Sequence, residues 1–511
     1  MDFRVGPPGS NLYDGGTSSF LLRKCNQAED NFNTLYELFY FGDEYIGEEV
    51  YIGKVKILKK GQLPNQKFAL RKSFDSLGPD YISVGQSLDY YQRVTSLGQK
   101  DRQKILNGLN DFLYSPEQAE EFHTETGWKS SLFREFDETD DFLVFAKSLV
   151  IRDLAILPEN LKFSFQVTGW ESPVAFDFSP ITSKNCKISD CREIIPNRIF
   201  AIIGRNGSGK STLLARLARV AHGTERDRLS GAFDNLGTIT PSNISFPRII
   251  TISYSAFDSF RLPGVGPENP DFYDERLQII RDINTGGGRF IFCGLRDIST
   301  ELENEMETPP SKSNWKTNSD KLNNTLLKPI EELASEFKRT VTYAHENNAW
   351  EVLDEALKCI AEDPSFDSES VEFTTRALIA NGLEKQFLQW STGHKIVMQI
   401  LASLAAYTTH SSLILLDEPE THLHPPLLAA LMHAIRLILD KRKSFAIVAT
   451  HAPVVLQETL ARHVYTVRRE GSLTDVYQSR IETFGENIST LSAEILALTP
   501  NLQTSTKYST N

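Results

Sequence analysis

The sequence predicts an α/β fold: a mixed sheet with flanking helices that also carries a helical insertion lobe. Three short segments predict it. RIFAIIG (198–204), SSLILLDE (411–418) and SFAIVATH (444–451) are dominated by apolar residues, and each runs directly into glycine, carboxylate or histidine. Continuous apolar runs of this length are the pattern of strands buried on both faces of a sheet. STLLARLARVA, directly after the first run, reads as a flanking helix.

The other elements follow along the chain. The first dozen residues are rich in Gly, Pro and Asn and read as flexible. Between Asn33 and Gln62, aromatic and β-branched residues predict two or three strands. From Leu88 to about Glu121 the pattern turns helical, with Leu88, Tyr91, Val94 and Leu97 at three-residue steps. LKFSFQVTGW and PVAFDF alternate as a hairpin does, and RIITISYSAF and RFIFCGLRD read as further buried strands. The polar stretch Thr308 to Asp320 reads as a surface loop, and Lys321 to about Ala380 as mostly helical, without sustained heptads. The tail beyond Leu498 is polar.

Composition narrows the function classes. The 511 residues are 24% charged and 40% hydrophobic, with a mean hydropathy of −0.29, as in ordinary globular proteins. No apolar run approaches the roughly 18 to 20 residues of a membrane span, and the first residues lack a signal-peptide pattern. The expectation is a cytoplasmic protein with no membrane partner. Five scattered cysteines argue against a disulfide framework, and the close pair Cys186 and Cys191 lacks a second pair to complete a zinc site. A net charge of −13 argues against bulk coating of nucleic acid. Lys54, Lys56, Lys59 and Lys60 form the densest basic cluster, and their alternation with Val55, Ile57 and Leu58 predicts a half-exposed strand with a solvated face. Nucleic acid stays on as a candidate partner through such a local patch.

Four motifs carry chemistry. Gly204, Arg205, Asn206, Gly207, Ser208, Gly209, Lys210, Ser211 and Thr212 spell GRNGSGKST, a match to G-x-x-x-x-G-K-[ST] set between strand and helix. Such a loop turns backbone N–H groups and a helix N-terminus toward phosphate oxygens, with Lys210 for the β- and γ-phosphates and the Ser211 hydroxyl for Mg²⁺. This pattern predicts the phosphate loop of a P-loop NTPase, with ATP and Mg²⁺ as the expected ligands. Asp417 and Glu418 end a buried strand. Asp417 is the expected Mg²⁺ ligand, and Glu418 the expected group that polarises the attacking water. His451 ends another strand and is expected to sense the γ-phosphate. Ser391, Thr392 and Gly393 precede a strongly apolar helix and offer either an ordinary N-cap or a second phosphate-binding feature. A single head has no second γ-phosphate for that feature, so the latter role requires another chain.

In this order the motifs resemble the ABC ATPase superfamily: phosphate loop, signature, paired acids, switch histidine. Ser391 lies 26 residues before Asp417, and His451 lies 33 after Glu418. The resemblance implies an ABC-type ATPase head in which the signature of one head caps ATP held by the phosphate loop of another, giving a homodimer or a higher even-numbered assembly. The acid motif DEPETHLHP, with His422, His424 and Pro425, is similar to AAA-type ATPases related to the OLD nucleases and to the SMC-like repair ATPases. His394 stands where transporters usually carry Gln. The sequence departs from the superfamily in lacking a convincing Gln after the second buried strand, where Ser253, Ser255 or Asp258 are the candidate substitutes. The 60 residues after His451 leave no room for a Toprim nuclease.

The expected organisation is N-terminal strands and an accessory helical segment over 1–160, a nucleotide-binding core over 161–320, a helical insertion lobe over 321–380, the signature, acid and histidine half of the core over 381–498, and a flexible tail over 499–511. A standalone ATPase of this kind resembles the PtuA-like subunit of Septu and retron systems and the ATPase of PARIS. That resemblance implies a sensor or scaffold in bacterial antiphage defence that controls a separate HNH or Toprim effector nuclease. The alternative is a DNA repair or recombination ATPase acting on DNA ends.

Overall fold

The computed structural model describes residues 2–8, 19–25, 31–41, 50–66, 69–138, 140–153, 160–180, 197–263, 273–307, 320–322, 324–347, 349–361, 374–380 and 382–497. The close pair Cys186 and Cys191, most of the stretch Thr308 to Asp320 and the tail 499–511 lie outside them.

Strands β1 (Phe3–Gly6), β2 (Phe20–Lys24), β3 (Leu35–Tyr40), β4 (Val50–Lys59), β5 (Ser73–Phe74) and β6 (Tyr81–Gly85) form one sheet in the order β5-β1-β2-β3-β4-β6. The helices Leu88–Ser96 and Asp141–Ile151 pack on each other, and the first also packs on β4. Together they close a core of their own that includes Phe3, Tyr36, Ile57, Tyr90, Trp128 and Phe145. The solvated lysine face expected on β4 forms only in part: Lys59 and Lys60 are exposed and Lys54 is half-buried, but Lys56 is not on it. Lys56 is 1% exposed, because β4 lies between β3 and β6 and is covered by the helix Leu88–Ser96 and the turn Trp128–Leu132. Its ammonium donates to the Ser131 carbonyl at 2.9 Å and lies 3.8 Å from Glu135. A buried lysine needs such partners, and these two take it out of any basic patch.

The predicted hairpin is β7 (Lys162–Val167) and β8 (Val174–Asp177), antiparallel. After it come β9 (Ile199–Ile203) and β10 (Gly237–Thr240), which extends the hairpin to three strands. β11 (Ile249–Ser253), β12 (Phe290–Gly294), β13 (Leu413–Asp417), β14 (Phe445–Thr450), β15 (Val464–Glu470) and β16 (Leu473–Gln478) complete the main sheet with β9, in the order β12-β11-β13-β14-β9-β15-β16. Every pairing in it is parallel except β15 with β16.

Alternation along these strands builds two cores at once. Ile199, Ala201, Ile203, Ile414, Leu416, Ala446 and Val448 face one side, against the helices Ile330–Glu346, Trp350–Ala361, Thr392–Tyr407 and Pro425–Arg442. Phe200, Ile202, Leu413, Leu415, Phe445 and Ile447 face the other, against the helix Lys210–His222 and the β7–β8–β10 sheet. The α/β class with a mixed sheet between helices is therefore observed, and the continuous apolar runs are explained by burial on both faces.

The N-terminal sheet is tied to this core by charge. Arg93, on the helix Leu88–Ser96, reaches Asp282 at 2.7 Å with both side chains largely buried, and it donates to the Ile52 carbonyl. Replacing Asp282 with Ala would strip the buried Arg93 guanidinium of its hydrogen-bonded carboxylate and leave Asp89 as a nearby counter-charge, a loss of up to about 3–5 kcal/mol. Denaturant unfolding should show the midpoint of the Asp282→Ala protein falling accordingly.

Candidate nucleotide site

The parallel register brings the chemistry-bearing strand ends together. Ser253 stands opposite Asp417, Asp417 opposite Ala449, and Thr450 opposite Ile203. The segments after β9, β11, β13 and β14 thus emerge at one edge, where ligands bind in sheets of this type.

The phosphate loop turns from β9 into the helix Lys210–His222. Gly209 has φ of 111°, and a Cβ on it would come within 3.0 Å of the Trp170 ring, so only glycine fits both demands. Arg205, Asn206 and Gly207 face solvent, whereas Ser208 and Lys210 are buried. The Lys210 ammonium donates to the Gly204 carbonyl at 3.0 Å and the Arg205 carbonyl at 3.3 Å, and lies 3.7 Å from Glu418. It is thereby held at the centre of its own loop, next to where phosphate oxygens would enter.

Ser211 and Asp417 are 206 residues apart in the chain, yet the Ser211 hydroxyl donates to Asp417 Oδ1 at 2.9 Å. Burial pushes the Asp417 carboxyl up to about 7; the Ser211 hydrogen bond pulls it back, and Glu418 and Asp258 push it further up. A hydroxyl and a crowded carboxylate meeting in this way form an all-oxygen donor set suited to Mg²⁺. The same pocket is lined by Ser253, Asp258 and Thr251. The Ser253 and Thr251 hydroxyls are buried and make no hydrogen bond among the described residues. Of the three candidate substitutes for the absent Gln, Ser253 and Asp258 therefore face the site. Ser255 instead accepts the Phe257 N–H at 3.2 Å, within its own turn. Asp258 is fixed by the Phe260 N–H at 3.1 Å and by the buried Arg296 at 3.6 Å.

Glu418 follows Asp417 in the left-handed region, with φ of 47°, and its N–H donates to the Ala449 carbonyl at 2.8 Å. A non-glycine residue in that conformation stores strain of about 1–3 kcal/mol, and such strain clusters at functional sites. His451 Nδ1 lies 3.9 Å from Glu418 and 3.0 Å from Glu420. Lys210, Glu418 and His451, distant in sequence, thus converge on one side of the phosphate loop.

The signature stands apart. The Ser391 hydroxyl accepts the His394 N–H at 3.3 Å and caps the helix Thr392–Tyr407, while Ser391 and Thr392 face solvent. Among the described residues, no hydrogen bond joins them to the phosphate loop. A Cβ on Gly393 would meet the His422 carbonyl at 2.9 Å, so glycine lets this helix start press against the segment after the paired acids. Two site residues escaped sequence reasoning. Trp170 sits in a hairpin turn with no motif to mark it. Glu420 carried a signal, since it is the third acid of DEPE.

Residues 296–457 match the family model described as "AAA domain, putative AbiEii toxin, Type IV TA system". The matched span includes Ser391 to Gly393, the paired acids and His451, whereas the glycine-rich loop 204–212 lies outside it. Protein ea59 of Escherichia phage lambda is 29% identical over 523 residues, covering 98% of this chain and 90% of that protein. Among solved structures, the ADP conformation of an ATP-binding cassette from an ABC transporter aligns with a TM-score of 0.29 at 12% identity, over 66% of this chain and 97% of that one. The SMC head domain from Thermotoga maritima aligns with a TM-score of 0.26 at 14% identity, over 63% and 99%. Among the described residues, no helix is long and apolar enough to cross a membrane.

The raised Asp417 carboxyl yields a test. Its folded value lies above the ordinary 3.8, so the folded state holds that proton more tightly, and metal-free stability falls as pH rises from about 4 through about 7. Thermal unfolding in chelator across this range should show the decline, Asp417→Asn should flatten it, and Mg²⁺ at pH 8 should reverse it.

Proposed function

We propose that this chain is an ATP-hydrolysing head that works in head-to-tail pairs, and that the paired state controls a separate effector nuclease in conflict between bacteria and phage. The contact that carries the ATPase reading is the 2.9 Å hydrogen bond from Ser211 to Asp417, with Lys210 and Glu418 alongside. In this reading Ser211 and Asp417 hold Mg²⁺, with Ser253 and Asp258 within the same pocket. That ion supplies charge neutralisation at the β- and γ-phosphates.

The protein's own residues do the rest. Lys210 exchanges the loop carbonyls for phosphate oxygens. Glu418 accepts a hydrogen bond from the attacking water and aligns it with the γ-phosphorus. His451 contacts the terminal phosphate. The exposed Ser391 and Thr392 of the opposite head, with the half-buried Gly393 beside them, close over that phosphate with the N-terminus of the helix Thr392–Tyr407. Their solvent-facing position and their separation from the phosphate loop of the same chain support the pairing. Loss of the γ-phosphate then removes what the opposite signature binds, and the pair opens.

The biological setting rests on the comparisons. The matching family model is described as an AAA domain of a "putative AbiEii toxin, Type IV TA system", and a relative spanning nearly the whole chain, Protein ea59, comes from a phage. Both favour a switch in phage–host conflict over a transporter subunit. The effector partner follows from the resemblance to the ATPases of Septu, retron and PARIS systems.

Lys210→Ala should abolish ATP binding in calorimetry. Glu418→Gln should bind ATP, lower kcat by about 10²-fold or more and accumulate as a dimer by mass measurement in Mg-ATP. A Glu418→Gln protein that turns over at the parent rate removes Glu418 from its role. A monomer whose turnover rises on adding duplex ends replaces this reading with the DNA-end ATPase.

A further inference from the structure

Glu420 is absent from the mechanism above, yet it is more deeply buried than either acid of the pair before it. Its side chain is 7% exposed, against 30% for Glu418. One oxygen, Oε1, accepts the Thr450 hydroxyl at 2.7 Å and the His451 N–H at 2.7 Å, and it lies 3.0 Å from His451 Nδ1. Thr450 is itself fixed, since its hydroxyl accepts the Ala452 N–H at 2.9 Å and so turns its hydrogen toward Glu420. The other oxygen, Oε2, is buried with no partner among the described residues. A buried carboxylate is costly unless hydrogen-bonded, and here the donors it has gathered all belong to Thr450 and His451.

Nδ1 of the His451 ring lies 3.0 Å from Glu420 Oε1, so a hydrogen on that nitrogen would face an acceptor oxygen. The His451 ring is otherwise lightly held, being 51% exposed, and its next carboxylate is Glu418 at 3.9 Å. We propose that Glu420 is a positioning residue that keeps His451 Nδ1–H turned inward, which presents Nε2 to the terminal phosphate and keeps the imidazole from pairing with Glu418. A carboxylate beside one ring nitrogen commonly sets both the tautomer and the orientation of a working histidine. The inference rests on the ATPase reading and extends it to a residue that reading does not need.

The test is steady-state ATP turnover, with thermal unfolding as control, for Glu420→Ala, Glu420→Gln, His451→Ala and the double variant Glu420→Ala with His451→Ala. Glu420→Ala should lower kcat by about 10- to 100-fold with little change in KM, by analogy with the loss when the orienting partner of a metal-ligating histidine is removed. Glu420→Gln, which keeps an acceptor oxygen, should recover part of that loss. The double variant should be no slower than His451→Ala alone, because Glu420 acts through the ring. A loss that multiplies on top of His451→Ala overturns the proposal.

If Glu420→Ala does not fold, substitutions at position 451 decide. His451→Gln places an amide near the Nε2 position and should retain more activity than His451→Asn, whose amide reaches only the Glu420 side. The reverse order overturns the proposal. A parent protein with no ATP turnover removes the ATPase reading and this inference with it, whereas turnover that depends on His451 but not on Glu420 removes this inference alone.

Discussion

The parallel register of the main sheet is the constraint on which the rest depends. Because β11, β13, β14 and β9 pair in parallel, Ser253 stands beside Asp417, Asp417 beside Ala449 and Thr450 beside Ile203, so the segments that follow these strands emerge together. A one-residue slip in any of these pairings would turn the side chains of that strand to the opposite face. Slippage is suppressed by the two cores, since each strand buries alternate residues on each side. The same packing that stabilises the sheet therefore sets the geometry of the site.

Electrostatics then makes the site responsive. Asp417, Glu418, Asp258 and Glu420 lie near one another, yet Lys210 is the cation brought closest to the acid pair. Burial first, and then the neighbouring Glu418 and Asp258, raise the Asp417 carboxyl, and a bound cation would offset that crowding. The strained conformation of Glu418 and the orphaned hydroxyls of Ser253 and Thr251 belong to the same pocket edge. These are departures from ideal folding, and they gather where a nucleotide and its cation would restore balance. Glu420 differs: its Oε1 is satisfied from within, by Thr450 and His451, which makes it a fixed support among groups that must adapt.

Most of the chemistry was legible in the sequence because its carriers are local. The glycine-rich loop needs contiguous residues, and the paired acids and the histidine each close a continuous apolar run, so periodicity and motif together locate them. The N-terminal sheet was only partly legible. Its short strands carry weak patterns, and the lysine alternation in β4 read as a solvated face because sequence does not say what will cover a strand. Lys56 shows the limit: its partners Ser131 and Glu135 lie some 75 residues onward.

The sequence by itself determined the α/β class and the glycine-rich loop between strand and helix, and it put forward Lys210, Ser211, Asp417, Glu418 and His451 as candidates, since each follows from residue type and local order. Only the tertiary structure decided which groups meet. It placed Ser211 on Asp417, chose Ser253 and Asp258 over Ser255, and set Glu420 against His451. Those pairings depend on strand register and on burial across hundreds of residues, which no local pattern encodes.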